Sequence, residues 1–291
     1  MSILKNLSEI ANSSTTGPVV DVNTRWNGEI IKWRILSYGH YRTPINTPLV
    51  LLIPEKPVKK MQWGANYHIY YKDSFIHKFL IGEFYNSFSN LLKSNLVSVE
   101  IQCGSYLVNG KEVQETLNTP IFIPSAVETG VEVDPEEPES YYGDHGTAIR
   151  RFDPYNPDGF IGKFLKSESE TWTRSTNIYD TNTPTYLEPW IIHKHMDGPF
   201  QIINLTTRYY DRDLDVWPII VLRPETKIAS QYVDELGGYA YVIKSDDHLP
   251  AYTKLNGSVK RLAEGYTKLN GKITRISGGY TKKDGILRRI F

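Results

Sequence analysis

The sequence predicts an α+β fold, in which a mixed body is followed by a small antiparallel module of β-hairpins. Many short apolar runs are bounded by Gly, Pro, Asn and Asp, a pattern typical of strands joined by tight turns. Two segments repeat their apolar residues at helical spacing. The C-terminus repeats one short motif three times, which indicates a chain of equivalent supersecondary units.

The N-terminal residues 1–20 are predicted to form a short helix followed by a Ser/Thr/Gly/Pro linker. A β-hairpin should follow, because Asn27-Gly28 separates the apolar-rich runs 22–26 and 29–36 and both residues tolerate the positive φ of a type I′ turn. The side of the helix expected to face the core carries Ile3, Leu4, Leu7 and Ile10.

The body, predicted to span residues 21–230, alternates strand and helix signals. The run Leu49–Ile53 predicts a fully buried strand and is too short to cross a bilayer. Asp73 and Ser74 are capping residues for the first helix, and a second helix is expected over Phe84–Leu92. The apolar faces of these helices carry Phe75, Ile76, Phe79 and Leu80, and Tyr85, Phe88, Leu91 and Leu92. Further short strands are predicted near 190–195, 200–206 and 216–222, and 134–139 is an acidic loop.

The C-terminal module, predicted to span residues 231–291, contains a repeat with a period of 14. Each copy is a two-residue Asn-Gly or Asp-Gly hairpin. Pairing across these turns should place each tyrosine opposite an arginine, in a ladder that suits an assembly interface. The expected rungs are Tyr252/Arg261, Tyr266/Arg275 and Tyr280/Arg289.

The charges are unevenly divided between the two parts. Residues 251–291 hold ten Lys/Arg and two acids, which leaves 23 Lys/Arg and 31 Asp/Glu in residues 1–250. The tail is therefore expected either to be a solvated basic face or to bind an acidic partner. The acidic body should repel nucleic acid. Residues 1–14 are polar and contain no apolar signal segment, so the protein is expected to stay in the cytoplasm or to leave it inside a particle.

Few residue patterns in the sequence indicate catalysis, and no cofactor is expected. A single cysteine, Cys103, excludes an intramolecular disulfide and a cysteine-based zinc cluster. His193 and His195 would point to one side of a strand, as a metal pair requires, but further ligands are not identifiable and an ordinary strand is the favoured interpretation. Two other groups could carry chemistry but are interpreted as structural. Asp211, Asp213 and Asp215 could supply oxygen ligands for calcium, and Asp144-His145 could act as an acid–base pair.

Five motifs in order resemble a domain family that is widespread in phages and Gram-positive bacteria. That family is related in fold to formylglycine-generating enzymes and to C-type-lectin-like ligand-binding proteins. The resemblance covers roughly residues 20–225. The motifs are Glu29-Ile-Ile-Lys-Trp33-Arg-Ile-Leu36, Ser74-Phe-Ile-His-Lys-Phe-Leu80, Phe122-Ile-Pro-Ser-Ala-Val-Glu128-Thr-Gly130, Trp172-Thr-Arg174-Ser175 and Val216-Trp217-Pro218-Ile-Ile220.

The resemblance implies a C-type-lectin-like body with a binding role. It does not imply oxidase chemistry, because the catalytic relatives hold copper with paired cysteines and this chain has the single Cys103. Glu128, Trp172, Arg174 and Trp217 are interpreted as structural supports, with a buried Arg174–Glu128 pair as the first expectation and a ligand site as the alternative. Trp217 stands where the family has an arginine, so any ion pair made there by the family is in doubt.

Together these features predict a non-enzymatic virion structural protein of a tailed phage, in the tail, baseplate, neck or head decoration. It is expected to bind other virion proteins or its own copies through the tail, and to contact a host-surface glycan through the body. Two alternatives are a bacterial cell-surface or toxin-associated binding module and a glycan-active enzyme.

Overall fold

Strand pairing organises most of the chain, with a few short helices packed against the strands. The computed structural model describes residues 4–11, 17–65, 69–108, 111–130, 170–178, 187–194, 200–204 and 210–244, and six strands between 251 and 289. The architecture is a mostly antiparallel α+β fold, as predicted. It divides into two compact units, residues 1–243 and 244–291. None of the helices in the described part of the chain is long and apolar enough to cross a membrane.

The larger sheet of the first unit has eight strands in the order β1-β16-β17-β2-β5-β6-β15-β10. The buried strand predicted from the sequence lies inside this sheet, and its residues 49–54 are all buried. The strand bounds are β1 Lys5–Asn6, β2 Val19–Asp21, β5 Trp33–Arg42, β6 Pro48–Pro54, β10 Ile121–Phe122, β15 Ile219–Leu222, β16 Lys227–Val233 and β17 Gly238–Ile243.

A second sheet has five strands in the order β13-β12-β11-β14-β7. Its bounds are β7 Lys59–Met61, β11 Glu170–Ile178, β12 Leu187–Lys194, β13 Phe200–Asn204 and β14 Leu214–Val216. Two separate hairpins complete the unit, β3 Arg25–Trp26 with β4 Glu29–Ile30 and β8 Val99–Val108 with β9 Lys111–Thr119. The predicted Asn27-Gly28 turn is confirmed, with φ of 52° and 83°, but its strands are only two residues long.

The first predicted helix is confirmed as α1, Phe75–Phe79, with the Ser74 hydroxyl accepting a hydrogen bond from the His77 amide. It continues as a π-helical segment, Leu80–Phe84. The expected second helix over 84–92 is wrong in its bounds. The chain leaves the helix after residue 86, and Ser89 caps a new helix α2, Asn90–Asn95. The Ser89 hydroxyl accepts a hydrogen bond from the Leu92 amide and starts a new helix there, and apolar spacing alone cannot show where a helix is interrupted. A third helix, α3, is Ala126–Thr129.

One continuous core fills the first unit. It includes Trp33, Phe122, Trp172 and Ile220, one residue from each of four of the motifs in the sequence. Trp33 and Trp172 are fully buried and their indole N–H groups have acceptors: Trp33 donates to the Thr24 hydroxyl at 2.7 Å and Trp172 to the Met61 carbonyl at 2.8 Å. Residues as far apart in sequence as Trp33 and Ile220, 187 positions, thus meet in one packed interior.

The N-terminal prediction is wrong in its structure and in its boundary. Residues 5–6 form β1, which pairs with β16, and a short 3₁₀ turn, Leu7–Glu9, follows. Leu7, Ile10 and Ala11 are buried, so this segment belongs to the core of the body. Helical spacing of four apolar residues cannot distinguish a true helix from a single turn held by tertiary contacts.

The second unit contains three hairpins, and their predicted register is confirmed. Tyr252 is paired with Arg261, Tyr266 with Arg275 and Tyr280 with Arg289. The strands are β18 Ala251–Leu255, β19 Ser258–Leu262, β20 Tyr266–Leu269, β21 Lys272–Arg275, β22 Tyr280–Lys283 and β23 Ile286–Arg289. The boundary predicted at 230/231 is wrong, because residues 231–243 finish β16 and form β17 inside the large sheet.

Candidate functional site

The site that sequence analysis singled out lies where strand β11 is irregular. Its pairing with β12 shifts register between Trp172 and Thr176, so the intervening residues are released from the regular ladder. The Arg174 amide instead donates to the Pro124 carbonyl at 2.9 Å, and the Ser175 hydroxyl accepts from the Ala126 amide at 2.9 Å. The irregular segment of β11 thereby joins the second sheet to α3.

Arg174 is buried, with 1% of its surface exposed, and its guanidinium is almost fully engaged. Nε donates to the Gln102 carbonyl at 2.9 Å, and Nη1 donates to the Ile123 carbonyl at 2.9 Å. Nη1 also donates to Glu128 Oε2 at 2.5 Å, and Nη2 donates to the Tyr41 hydroxyl at 3.1 Å. The predicted ion pair between Arg174 and Glu128 is therefore present.

Glu128 is equally buried and its carboxylate accepts four hydrogen bonds. Oε2 accepts from Arg174 and from the Ser125 amide at 3.0 Å, while Oε1 accepts from the Tyr41 hydroxyl and from His40 Nε2 at 3.2 Å. Ser125 and Glu128 form the capping box of α3, because the Ser125 hydroxyl accepts in return from the Glu128 amide. Four bonds use all the lone-pair directions of a carboxylate.

The pKa of Glu128 is set by two opposing influences. Burial alone would raise it, but the charge of Arg174 and the hydrogen bonds from His40 and Arg174 together lower it well below its usual range. Glu128 is therefore ionised at neutral pH and only accepts hydrogen bonds. It follows that His40 carries its proton on Nε2 in this contact.

The chemistry of this site favours support over catalysis. A general base or nucleophile needs an open lone pair and a shifted pKa near the working pH, and Glu128 has neither. The guanidinium of Arg174 lies over the Phe122 ring at 5.1 Å, with Tyr41 edge-on to the same ring at 5.6 Å. A buried, hydrogen-bonded and aromatic-packed pair fixes the relative positions of β5, β11 and α3.

His40 and Tyr41 complete the network, although neither was predicted from the sequence. Both lie in β5, 87 or 88 residues before Glu128, where no local motif marks them. His40 is not fully buried, with 11% of its side chain exposed. What revealed Glu128 and Arg174 in the sequence was the family resemblance, through the motifs that contain Ser125-x-x-Glu128 and Trp172-x-Arg174.

The other predicted site residues fall into three groups: the tryptophans, the three aspartates, and the residues outside the described part of the chain. Trp172 and Trp217 are buried, as support residues should be. Asp211 and Asp213 are exposed whereas Asp215 is buried beside Lys60, so the three aspartates do not converge on a cation. Among the residues that the structure describes, no group of three or more His, Cys, Asp or Glu side chains could hold a metal ion. Asp144, His145, His195 and the side chain of His193 lie outside the described part of the chain.

A second buried polar cluster lies close to the first helix. The His77 ring packs against Tyr71 with centroids 5.2 Å apart, and burial lowers the pKa of His77 to about 4. Glu115 accepts from the Lys72 amide at 3.3 Å, and burial raises its pKa. The Tyr71 hydroxyl accepts from the Ile123 amide at 3.1 Å, next to the carbonyl that Arg174 binds. The two clusters are thus linked through one backbone residue.

Comparison with known proteins bears on the segment that carries the network. No curated protein and no solved structure matches the chain. Residues 49–189, slightly less than half of the chain, are similar to a family described as a domain of unknown function (DUF6273). That range contains both Glu128 and Arg174 and extends from the buried strand β6 into β12.

Proposed function

We propose that this chain is a non-catalytic structural protein of a virus particle, a component of the tail, baseplate, neck or head decoration of a tailed phage. In this proposal the first unit is a C-type-lectin-like binding body and the second unit is the module that attaches it to the particle. Its partners are other virion proteins or further copies of the same chain.

The observation that carries the proposal is the equivalence of the three C-terminal hairpins. Each pairs a tyrosine with an arginine at the same register, and together they form a unit separate from the body. Equivalent units at constant spacing suit repeated contacts with a lattice of identical subunits. Tyr and Arg are also the residue types enriched at the energetic centres of interfaces.

The geometry of the body supports a binding role. The Arg174–Glu128 network has no open catalytic group, and it holds three elements in fixed positions. Such a scaffold presents loops rigidly, as binding domains do. A cell-surface or toxin-associated module would use the same body, so the two functions are distinguished by whether the protein is found in particles or in the cell envelope.

Mass spectrometry of purified particles provides that test. We expect the full chain in the particles at a fixed copy number, and we expect the triple variant Tyr252→Ala/Tyr266→Ala/Tyr280→Ala to be depleted at least tenfold at equal expression. A matched control, Tyr232→Ala/Tyr239→Ala, changes two exposed tyrosines of the body and should be incorporated normally. Finding the wild-type chain only in the cell envelope would contradict the proposal and favour the cell-surface module.

A further inference from the structure

An open groove in the first unit is lined by none of the residues of the Arg174 network. It is formed by the β3–β4 hairpin, the turn that follows β6 and the tip of the β16–β17 hairpin, and it encloses about 870 Å³. That volume falls in the usual range of small-molecule sites, roughly 300–1,000 Å³. Three separate stretches of chain therefore build one concave surface.

The charges along the groove are balanced and mostly paired. Arg25 Nη2 lies 2.5 Å from Glu235 Oε2, and Lys32 Nζ lies 3.2 Å from Glu55 Oε2. Glu55 also accepts from Arg34, just outside the groove. The lining as a whole has three cations, Arg25, Lys32 and Lys56, and three carboxylates, Glu29, Glu55 and Glu235.

Balanced charge argues against a strongly ionic ligand. A polyanion or polycation would have to break the pairs at Arg25 or Glu55, because within the described part of the chain only Lys56 and Glu29 lack an ion-pair partner in the groove. A hydroxyl group makes no such demand. It can donate to a carboxylate and accept from a guanidinium or ammonium while the ion pair stays closed.

Most of the other residues that line the groove are apolar. Pro54, Pro57 and Leu236 line the groove together with Trp26, whose ring is held edge-on by Phe79 at 5.2 Å and by Phe84 at 5.5 Å. Fixed apolar surfaces between hydroxyl-binding ion pairs match a ligand that has C–H faces and hydroxyl edges. Saccharides have this alternation, whereas lipids and simple ions do not.

Two exposed tyrosines lie on the hairpin that supplies one wall. Tyr232 and Tyr239 are directly paired across β16 and β17, three residues on either side of the groove residues Glu235 and Leu236. They are 55% and 76% exposed, and their rings meet edge-to-face at 5.5 Å. Exposed aromatic rings on a rigid hairpin are typical of recognition surfaces.

We propose that this groove is a binding site for a neutral saccharide, with Arg25, Glu235 and Glu55 as hydroxyl partners and Trp26 and the two prolines as apolar contacts. The inference rests on the proposed function in one respect, since it supplies the surface through which the body would contact a host glycan. Incorporation into particles plays no part in it.

Saturation-transfer NMR on the full chain tests the site. The probes are neutral oligosaccharides of glucose, galactose, N-acetylglucosamine and rhamnose, with a uronic-acid oligomer and a Lys/Glu peptide as charged probes. We expect transfer to at least one neutral oligosaccharide, with an affinity that changes little with salt because no net charge is neutralised. A signal from the charged probes alone, or from none of the probes, would overturn the assignment.

Two double variants test whether the oligosaccharide binds in the groove. Arg25→Ala/Glu235→Ala should weaken the affinity for the bound oligosaccharide at least tenfold, which is about 1.4 kcal/mol. The matched control removes a partly exposed ion pair outside the groove, Arg212→Ala/Glu170→Ala, whose nitrogen and oxygen are 2.7 Å apart. If the groove variant kept the affinity of the wild type, with both variants folded by their melting curves, the saccharide would bind elsewhere and the proposal would be overturned.

The groove site and the assembly role can fail separately. A chain that enters particles but binds no saccharide would refute the groove site and leave the assembly role intact. A chain that binds a saccharide but does not enter particles would refute only the assembly role.

Discussion

Among single residues, Arg174 is expected to have the largest effect on stability. Arg174→Ala would leave the ionised Glu128 buried without its counter-charge, and breaking such a pair costs about 3–5 kcal/mol. Urea unfolding of the full chain measures this loss. Arg174→Lys should restore little of it, because an ammonium cannot reproduce the fork of bonds to Gln102, Ile123, Glu128 and Tyr41.

The control for this prediction is Arg212→Ala. Arg212 pairs with Glu170 while 45% of its side chain is exposed, and exposed pairs contribute about 0–1 kcal/mol. If Arg174→Ala cost no more than Arg212→Ala, the interpretation of Arg174 as a structural support would be wrong.

His77 should make the body sensitive to acid. Burial lowers its pKa to about 4, below the ordinary value of 6.5. Between these two values the unfolded chain binds a proton at His77 and the folded chain does not. Stability should therefore fall as the pH drops from 6.5 towards 4. Between pH 7 and pH 5 the loss due to His77 is about 2 kcal/mol.

The variant His77→Phe isolates this contribution. It should unfold with a smaller pH dependence than the wild type between pH 7 and pH 5, measured by urea titration at both values. Glu128 does not interfere in this window, because its pKa lies lower still, and loss of its charge destabilises the fold only at more acidic pH. An unchanged pH dependence in His77→Phe would contradict the assigned pKa.

Among the elements, the bulge of β8 and the irregular part of β11 depend on each other. The register of β8 shifts between Gln102 and Gly104, and Gly104 has a φ of 137°. A Cβ there would overlap the Thr176 hydroxyl and crowd the Thr176 backbone. Gly104→Ala should therefore destabilise the protein by about 1–3 kcal/mol in a thermal melt.

Gly82 provides the matched glycine. It lies in the π-helical segment, and a Cβ there would have no atom within 4 Å. Gly82→Ala should be neutral or stabilise the fold by up to about 1 kcal/mol. Similar effects at the two positions would show that general backbone entropy, not close packing of β8 on β11, explains the requirement for glycine.

The sequence predicted elements that are determined locally. The buried run of β6, the Ser74 cap of α1, the Asn27-Gly28 turn and the register of the three hairpins follow from spacing and turn chemistry alone. The contact between Arg174 and Glu128 was also predictable, but only because a family resemblance placed both residues in one fold. His40 and Tyr41 were not, since long-range pairing in the large sheet brings β5 to α3 and no local pattern encodes it.

For the molecule as a whole, the boundary between the units sets where the chain can be cut. A chain ending at residue 243 keeps every strand of both body sheets, so it should stay folded and soluble. A chain ending at residue 230 lacks β17 and half of β16, and it should fail to fold. Circular dichroism and size-exclusion chromatography of the two truncations test this, and a folded 1–230 fragment would mean that β17 is dispensable.

The placement of β17 also has a consequence for synthesis on the ribosome. The strand lies between β16 and β2, so the N-terminal strands β1 and β2 are joined into one sheet only through the last hairpin of the body. Because the chain emerges from its N-terminus, the edge of β2 stays open until residue 243 has left the exit tunnel. Closure of the body is therefore a late event of synthesis, and the basic hairpins that follow β17 are the part of the chain being made while the sheet still lacks this strand.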